Sequence, residues 1–244
     1  ANSNITVSIS GKTGTGKEMV AKAIHYNSHR AEHPFVAVNV SAIPEGLIES
    51  ELFGHEKGAF TGATSRRIGK FELASKGTLF LDEIAEMSPS AQVKILRVIQ
   101  EQELIRVGGE KPLKINTRLI VATHRDLYKE VENGKFREDL FYRLMGVPIK
   151  LPTLRERGND IVILSNYFLK SFCKDNNIKI PKILPDAMNK LLGYSYPGNI
   201  RELKAIIELA VILSENHEIK ESNIHFKSSD KIPLFDAKDL TLEQ

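Results

Sequence analysis

The sequence has little cysteine, little net charge and no long apolar run, and each absence excludes a class of protein. Its single cysteine, Cys173, cannot form an internal disulfide framework, and the nearby Leu169 and Phe172 predict a buried thiol. A net charge of +3 predicts no surface basic enough to bind nucleic acid by itself. No apolar run approaches the roughly 20 residues that span a bilayer. No signal peptide precedes the first motif, so we expect a cytoplasmic protein with no membrane contact.

The pattern of strands and helices changes near Pro152. Before it, short β-branched strands alternate with helical segments, which predicts an α/β fold with a parallel sheet flanked by helices. The predicted strands are 5–9, 35–40, 78–81, 119–122 and 147–151, and the predicted helices are 17–29, 46–53 and one that begins at Ser88 and Pro89. Later strand signals fade, and the remaining helical segments are 161–174, 186–192 and 199–214. We therefore expect an α/β domain (1–152), a small all-helical domain (153–226) and a linker tail (227–244).

The segment between the first predicted strand and helix has the spacing of a phosphate-binding P-loop. Gly11 and Gly16 enclose four residues and Lys17 follows, in the strand–loop–helix context that phosphate binding requires. Glycines let backbone N–H groups converge on phosphate oxygens, and the helix N-terminus adds partial positive charge. A glycine-rich turn with a solvated lysine is the alternative, which this context disfavours. The residues of this segment assigned to the nucleotide are Gly11, Lys12, Thr13, Gly14, Thr15, Gly16, Lys17 and Glu18.

Three acidic residues are candidates for binding magnesium or for activating water at the phosphates. Asp82 and Glu83 end an apolar strand, where Asp82 would hold Mg²⁺ and Glu83 would orient and polarise the attacking water. Two carboxylates facing one phosphate site need a cation to offset them, although acids also occur at solvated strand ends. Glu18 stands where P-loops usually carry a Ser or Thr ligand of magnesium, and its carboxylate could hold the ion directly or through water.

A glycine-bounded hexapeptide lies between the predicted helix 46–53 and the acidic strand. Glycine weakens regular structure, so the segment predicts a mobile loop. A phenylalanine on such a loop either packs into the core or is presented to a partner, and from the residues alone the packed arrangement is favoured. The hexapeptide consists of Gly58, Ala59, Phe60, Thr61, Gly62 and Ala63.

The hexapeptide resembles, residue for residue, the GAFTGA loop of sigma-54-dependent transcriptional activators (bacterial enhancer-binding proteins), a branch of the AAA+ ATPases. This resemblance implies a P-loop NTPase fold with a C-terminal helical lid, which hydrolyses ATP with Mg²⁺ and remodels the closed complex of sigma-54 RNA polymerase. It also implies that the hexapeptide contacts the sigma-54 factor and that subunits assemble into a ring, expected to be a hexamer. DNA would be contacted only through a domain that this chain does not include.

The resemblance implies roles for further residues around the nucleotide. Asn39 would be the switch asparagine that restrains Glu83 in one nucleotide state, although it could equally be an ordinary strand-end cap. Thr123 would be the sensor I residue that reaches toward the γ-phosphate. His124 stands where many members have asparagine, and from the residues alone it is an ordinary loop histidine. Glu18 is typical of this family at its position.

Arginines complete the site that the resemblance implies. Arg137 and Arg143 resemble arginine fingers that meet the γ-phosphate bound to the next subunit, although both could also form surface ion pairs. Arg201 resembles sensor II, which contacts phosphate from the lid. The family usually has tryptophan where Tyr196 stands and an acid where Lys12 stands. Two alternative functions stay open: a binding module that has lost its ATPase activity, and an AAA+ ATPase that remodels other substrates.

Overall fold

A computed structural model describes residues 3–226, so the predicted linker 227–244 lies outside the described residues. Contacts divide the chain into two compact units, Ala1–Pro152 and a second unit that begins at Thr153. Each unit has a hydrophobic core of its own.

The first unit alternates strands and helices along the chain. Its strands are β1 (Val7–Ser10), β2 (Phe35–Asn39), β3 (Gly54–His55), β4 (Arg67–Ile68), β5 (Thr78–Asp82), β6 (Glu103–Leu104), β7 (Leu113–Lys114), β8 (Arg118–Thr123) and β9 (Val147–Lys150). Its helices are α1 (Lys17–Tyr26), α2 (Ile48–Phe53), α3 (Lys70–Leu73), α4 (Pro89–Glu101), α5 (Leu127–Glu132) and α6 (Glu138–Leu144).

A parallel sheet in the order β2-β5-β8-β1-β9 forms the centre of the first unit. Alternate side chains of β5 and β8 face opposite sides, as the pleat of a strand requires. Leu79 and Leu81 face a core shared with α2, α4 and α6, whereas Phe80 faces a core shared with α1. The predicted α/β fold with helices on both faces of a parallel sheet is therefore confirmed.

The parallel register brings the carboxyl ends of the strands to one edge of the sheet. Asn39 lies opposite Asp82 across β2 and β5, and Ser10 lies opposite Thr123 across β1 and β8. The P-loop directly follows β1 at this edge. Polar residues that are far apart in the sequence therefore end at neighbouring positions.

Local signals set where several of these elements begin and end. The predicted start of α4 is confirmed, because the Ser88 hydroxyl accepts a hydrogen bond from Ala91 N and Pro89 occupies the first turn. Helix α1 ends earlier than predicted, at Tyr26: the Asn27 side chain caps the Ala23 carbonyl, and Ser28 N donates to the His25 carbonyl three residues back instead of continuing the α-helical pattern. Strand β1 begins later than predicted, at Val7.

The sequence did not predict α5, α6 or the two antiparallel pairs β3–β4 and β6–β7. Each of these strands has two residues, which is too short to display alternation. Helix α5 has six residues and α6 has seven, fewer than the span over which helical periodicity becomes visible.

The second unit packs its helices around a small core. Its elements are α7 (Asp160–Asp175), β10 (Lys182–Ile183), α8 (Pro185–Gly193), α9 (Asn199–Ile212) and β11 (Glu218–Ile219). The prediction of an all-helical domain is wrong in one detail, because β10 and β11 pair in parallel. Cys173 is fully buried as predicted, and burial raises the pKa of its thiol. Tyr196 is also buried, and its hydroxyl donates to the Leu191 carbonyl at 2.7 Å.

Within residues 3–226, no helix has the length and apolar character needed to cross a membrane.

The buried imidazole of His25 should make the first unit sensitive to acid. Its Nδ1 lies 2.9 Å from Thr78 Oγ1, and burial lowers the pKa of His25 below its ordinary value of 6.5. The unfolded chain therefore binds a proton that the folded chain resists. We expect the free energy of unfolding to fall as pH drops below about 6.5, with a slope of at most about 1.4 kcal/mol per pH unit from this group.

Urea unfolding followed by circular dichroism at about pH 7.5 and about pH 5.5 measures this loss. The variant His25→Gln should lose less stability between the two pH values than the wild type. His29 is exposed and provides a matched control, since His29→Gln should keep the wild-type slope. An unchanged slope in His25→Gln would contradict the assignment.

Candidate functional site

The P-loop has the backbone geometry that an anion site needs. Gly14 and Gly16 have φ of 78° and 93°, in the left-handed region that favours glycine. No side chain caps the first turn of α1, so its N-terminal N–H groups are left to face a ligand. Thr15 is buried, and its hydroxyl donates to the Lys12 carbonyl at 2.7 Å, which fixes the curvature of the loop.

Lys17 connects the loop to the acidic end of β5. Its side chain is only 6% exposed, and its Nζ lies 3.2 Å from the Gly11 carbonyl and 3.6 Å from Glu83 Oε1. A buried ammonium beside the uncapped N-terminus of α1 provides this pocket with cationic and N–H donors next to the two carboxylates. Such a pocket suits the phosphates of a nucleotide.

Asp82 and Glu83 lie side by side at the end of β5, but their electrostatic settings differ. Burial and the charge of Glu83 raise the pKa of Asp82, against the opposing effect of Lys17. Burial also disfavours ionisation of Glu83, but hydrogen bonds from His124 and the charge of Lys17 outweigh it and hold the pKa of Glu83 below its usual value. A cation bound near Asp82 would relieve the crowding of two carboxylates.

Three polar residues lie at or just after the ends of neighbouring strands, and one of them, His124, contacts Glu83. Asn39 Oδ1 accepts hydrogen bonds from Ser41 N at 3.0 Å and Ser41 Oγ at 2.8 Å, so here it caps a short 3₁₀ turn. His124 donates to Glu83 Oε2 from both its backbone nitrogen, at 3.2 Å, and its Nδ1, at 2.7 Å. Thr123 is buried, and its hydroxyl accepts from the backbone N–H of Arg125 at 3.0 Å.

Magnesium would have few protein ligands at this site. Glu18 is about half exposed, and its Oε1 pairs with Lys22 Nζ at 2.8 Å. Among the described residues, no group of three or more His, Cys, Asp or Glu side chains could hold a metal ion by itself. Mg²⁺ bound with a nucleotide needs only one or two carboxylates, because phosphates and waters supply its other ligands. Asp82 therefore fits a nucleotide-bound Mg²⁺.

Two of the three predicted arginines lie at the two ends of α6, and the third lies in the second unit. Arg137 precedes α6 and pairs with Asp139 at 2.7 Å, whereas Arg143, in its last turn, donates to the Ile99 carbonyl at 3.4 Å. Both are exposed, as a residue that serves a neighbouring subunit must be. Arg201 lies in the first turn of α9 in the second unit and is also exposed, and its contact with phosphate stays a prediction.

The hexapeptide forms a hydrogen-bonded turn whose tip faces solvent. Gly58 N donates to the Ala63 carbonyl at 2.8 Å, which closes the base of the turn. Gly58 and Gly62 have φ of 84° and 102°. Phe60 is 40% exposed, and its ring meets the ring of His55 edge-on at a centroid distance of 5.0 Å. The arrangement in which Phe60 packs into the core is therefore wrong, because two fifths of this residue faces solvent.

A buried arginine fastens the loop base, and sequence reasoning missed it. Arg106 is 8% exposed, and its guanidinium bonds Glu56 at 2.6 Å and both carboxylate oxygens of Glu72 at 2.8 to 2.9 Å. Val107 N donates to the Gly54 carbonyl, so the segment of Arg106 runs beside the segment that leads into the hexapeptide. The only sequence signal was a lone arginine between two apolar residues before a Gly-Gly pair.

Comparisons with known proteins agree with this geometry. The chain matches the family described as "Sigma-54 interaction domain" over residues 1–150 and the family described as "AAA+ ATPase lid domain" over residues 155–233. Regulatory protein AtoC of Escherichia coli (strain K12) is 55% identical over 214 residues, which cover 88% of this chain and 46% of that protein. Nitrogen fixation protein AnfA of Azotobacter vinelandii is 48% identical over 244 residues, which cover 100% of this chain and 46% of that protein.

Solved structures give the same result. The crystal structure of NtrX from Brucella abortus in complex with ATP has a TM-score of 0.87 and 38% sequence identity, covering 98% of this chain and 53% of that chain. The chain spans about half the length of the curated relatives it matches. Because the first family match covers more than half of the chain, this protein belongs to the sigma-54 interaction domain family of AAA+ ATPases.

Proposed function

We propose that this chain is the ATP-hydrolysing domain of a transcription activator that remodels sigma-54 RNA polymerase in the cytoplasm. It binds ATP and Mg²⁺, assembles into a hexameric ring and opens the closed promoter complex through its hexapeptide loop. One observation carries the proposal: the P-loop lysine and the acidic end of β5 converge on one uncapped helix N-terminus, while the same unit presents Phe60 to solvent.

Binding begins at the P-loop in this mechanism. The backbone N–H groups of residues 11–17 receive the phosphates, and Lys17 moves from Gly11 and Glu83 to the β- and γ-phosphates. Asp82 would hold Mg²⁺, with Glu18 as a further candidate ligand, and the cation would supply charge that offsets the phosphates. Arg201 contacts phosphate from the helical domain 153–226, which acts as a lid.

Hydrolysis then depends on Glu83 and on arginines from a neighbour. Glu83 orients and polarises the attacking water, and Thr123 senses the γ-phosphate. Arg137 and Arg143 of the adjacent subunit stabilise charge that develops in the transition state. Asn39, opposite Asp82 in the register, takes the Glu83 carboxylate in one nucleotide state and releases it in another. DNA is contacted only through a domain outside this chain.

The partner is engaged by the tip of the loop. Phe60 and Thr61 are exposed and lie in a turn closed by hydrogen bonds, so they are available to the sigma-54 factor. Movement at the nucleotide changes the position of this turn, and its grip on sigma-54 transmits that movement to the polymerase.

The variant Glu83→Gln should bind ATP but hydrolyse it slowly. The amide keeps the size of the side chain but is a poor acceptor for the proton of the attacking water. We expect the turnover number to fall by about 10² to 10⁴, the usual contribution of a positioned base. Phosphate release and binding of a fluorescent ATP analogue measure the two effects separately. The exposed Glu101→Gln is a matched control. Turnover at the wild-type rate in Glu83→Gln would rule out this carboxylate.

The variants Arg137→Ala and Arg143→Ala should retain ATP binding but lose turnover. An arginine finger contributes about 10³ to 10⁵ in rate, so the loss should be almost complete if each residue acts there. Arg97, exposed on α4, supplies a matched control as Arg97→Ala.

Mixing subunits shows whether an arginine acts on its own nucleotide or on its neighbour's. Lys17→Ala subunits bind no phosphate but carry intact arginines, whereas Arg143→Ala subunits bind ATP. A mixture of the two should recover part of the turnover that both lack alone. If pure and mixed samples are equally inactive although mixed rings form, the site is not shared between subunits.

The variant Thr61→Ala should hydrolyse ATP normally but fail to capture sigma-54. Its side chain lies at the exposed tip, far along the chain from the residues around Lys17, so turnover should not change. Capture is measured by co-migration with sigma-54 in the presence of ADP and aluminium fluoride. The exposed neighbour Thr64→Ala should capture sigma-54 as the wild type does. A wild-type ring that hydrolyses ATP but binds sigma-54 in no nucleotide state would refute the partner assignment.

A further inference from the structure

The Glu83 carboxylate is held at both oxygens by groups that belong to other parts of the site. Oε2 accepts two hydrogen bonds from His124, one from the backbone nitrogen at 3.2 Å and one from Nδ1 at 2.7 Å. Oε1 lies 3.6 Å from Lys17 Nζ. A carboxylate can only accept hydrogen bonds, so His124 carries its proton on Nδ1 in this contact. A carboxylate engaged in this way is poorly placed to accept a proton from water.

The expected partner of Glu83 is engaged elsewhere. Asn39 Oδ1 accepts from both the backbone N–H and the hydroxyl of Ser41. His124, which sequence reasoning treated as an ordinary loop histidine, makes the contact instead. Glu83 itself has φ of 56°, a left-handed conformation that is unusual outside glycine and needs support from its surroundings.

The position of His124 connects this contact to the phosphate loop. It follows Thr123 at the end of β8, and the Thr123 carbonyl accepts a hydrogen bond from Gly11 N, the first residue of the P-loop, at 3.3 Å. A shift of the P-loop around phosphates therefore reaches the backbone of His124 through one hydrogen bond. A cavity of about 410 Å³, lined by His124, Lys12, Tyr128 and other residues of the first unit, gives the imidazole room to turn away from Glu83.

We propose that His124 is a positioning residue that restrains the Glu83 carboxylate through these two hydrogen bonds and releases it when phosphates bind; this inference rests on the proposed function. Two donors from one residue fix the orientation of Oε2, and loss of the Nδ1 bond leaves only the backbone donor. Phosphate binding ends the restraint that His124 places on Glu83. The hydrogen bond proposed between Asn39 and Glu83 belongs to another nucleotide state.

Kinetics of three variants separate this role from a structural one. His124→Ala should raise kcat/KM for ATP on the order of tenfold through a lower KM, because binding no longer has to break one hydrogen bond to a charged group. His124→Asn keeps a side-chain N–H donor and should return KM to the wild-type value. His124→Leu keeps bulk without a donor and should behave like His124→Ala. An unchanged or higher KM in His124→Ala, or equal KM values in the Asn and Leu variants, would overturn the restraint.

Nuclear magnetic resonance of ¹⁵N-histidine-labelled protein tests the contact without hydrolysis. The His124 signal, assigned by its absence in His124→Asn, should show a protonated Nδ1 in the nucleotide-free protein. It should move in Glu83→Ala and on addition of a non-hydrolysable ATP analogue. If the chemical shift of His124 is the same in Glu83→Ala and after addition of the analogue, the contact does not exist and the inference fails, whether or not the protein hydrolyses ATP. If the signal responds but no ATP is hydrolysed, the proposed function fails while the contact stands.

Discussion

Parallel pairing of β2, β5, β8 and β1 is the constraint on which the site depends. Parallel strands end at the same edge, so the register places Asn39 beside Asp82 and Thr123 beside Ser10. The P-loop leaves β1 at that edge, where the half-buried end of β5 carries two carboxylates. Hydrogen bonds from His124 and, to a smaller extent, the charge of Lys17 let Glu83 ionise in a place that burial alone would make unfavourable. A one-residue slip of β5 would move Leu79 and Leu81 to the face that packs against α1 and would move both acids away from the lysine.

The sequence predicted the parts of the molecule that depend on short-range pattern. The glycine spacing of the P-loop, the buried strand that ends in Asp82, and Ser88 followed by Pro89 are local signals with a single physical interpretation. They gave the sheet, the start of α4 and the candidate nucleotide residues. The resemblance carried by the hexapeptide gave the family, because no periodicity or composition distinguishes one AAA+ branch from another.

Contacts between distant segments were not predictable in the same way. Arg106 bonds Glu72, which lies 34 positions earlier in the sequence, and His124 bonds Glu83, which lies 41 positions earlier. The sequence around Arg106 or His124 does not indicate which residue each one bonds, since tertiary packing decides which charged groups meet. Short elements failed for a related reason: β3 and β4 have two residues each, and pairing rather than propensity makes them strands.

The loop that carries Phe60 is fixed at its base and loosely held at its tip. At the base, a largely buried guanidinium forms charged hydrogen bonds with Glu56 and Glu72, and such bonds are costly to break. At the tip, Phe60 is held by an edge contact with His55, which contributes on the order of 1 kcal/mol.

This difference determines how the loop can move. Because the tip contact is weak, Phe60 can leave His55 for a partner at little cost. The base cannot deform without losing the bonds of Arg106, so a shift of its neighbours carries the whole turn with it. A Cβ at Gly58 or Gly62 would meet no atom within 4 Å, so these glycines serve backbone conformation rather than close packing. The positive φ at both positions lets a turn of few residues point its phenylalanine outward while its ends stay joined.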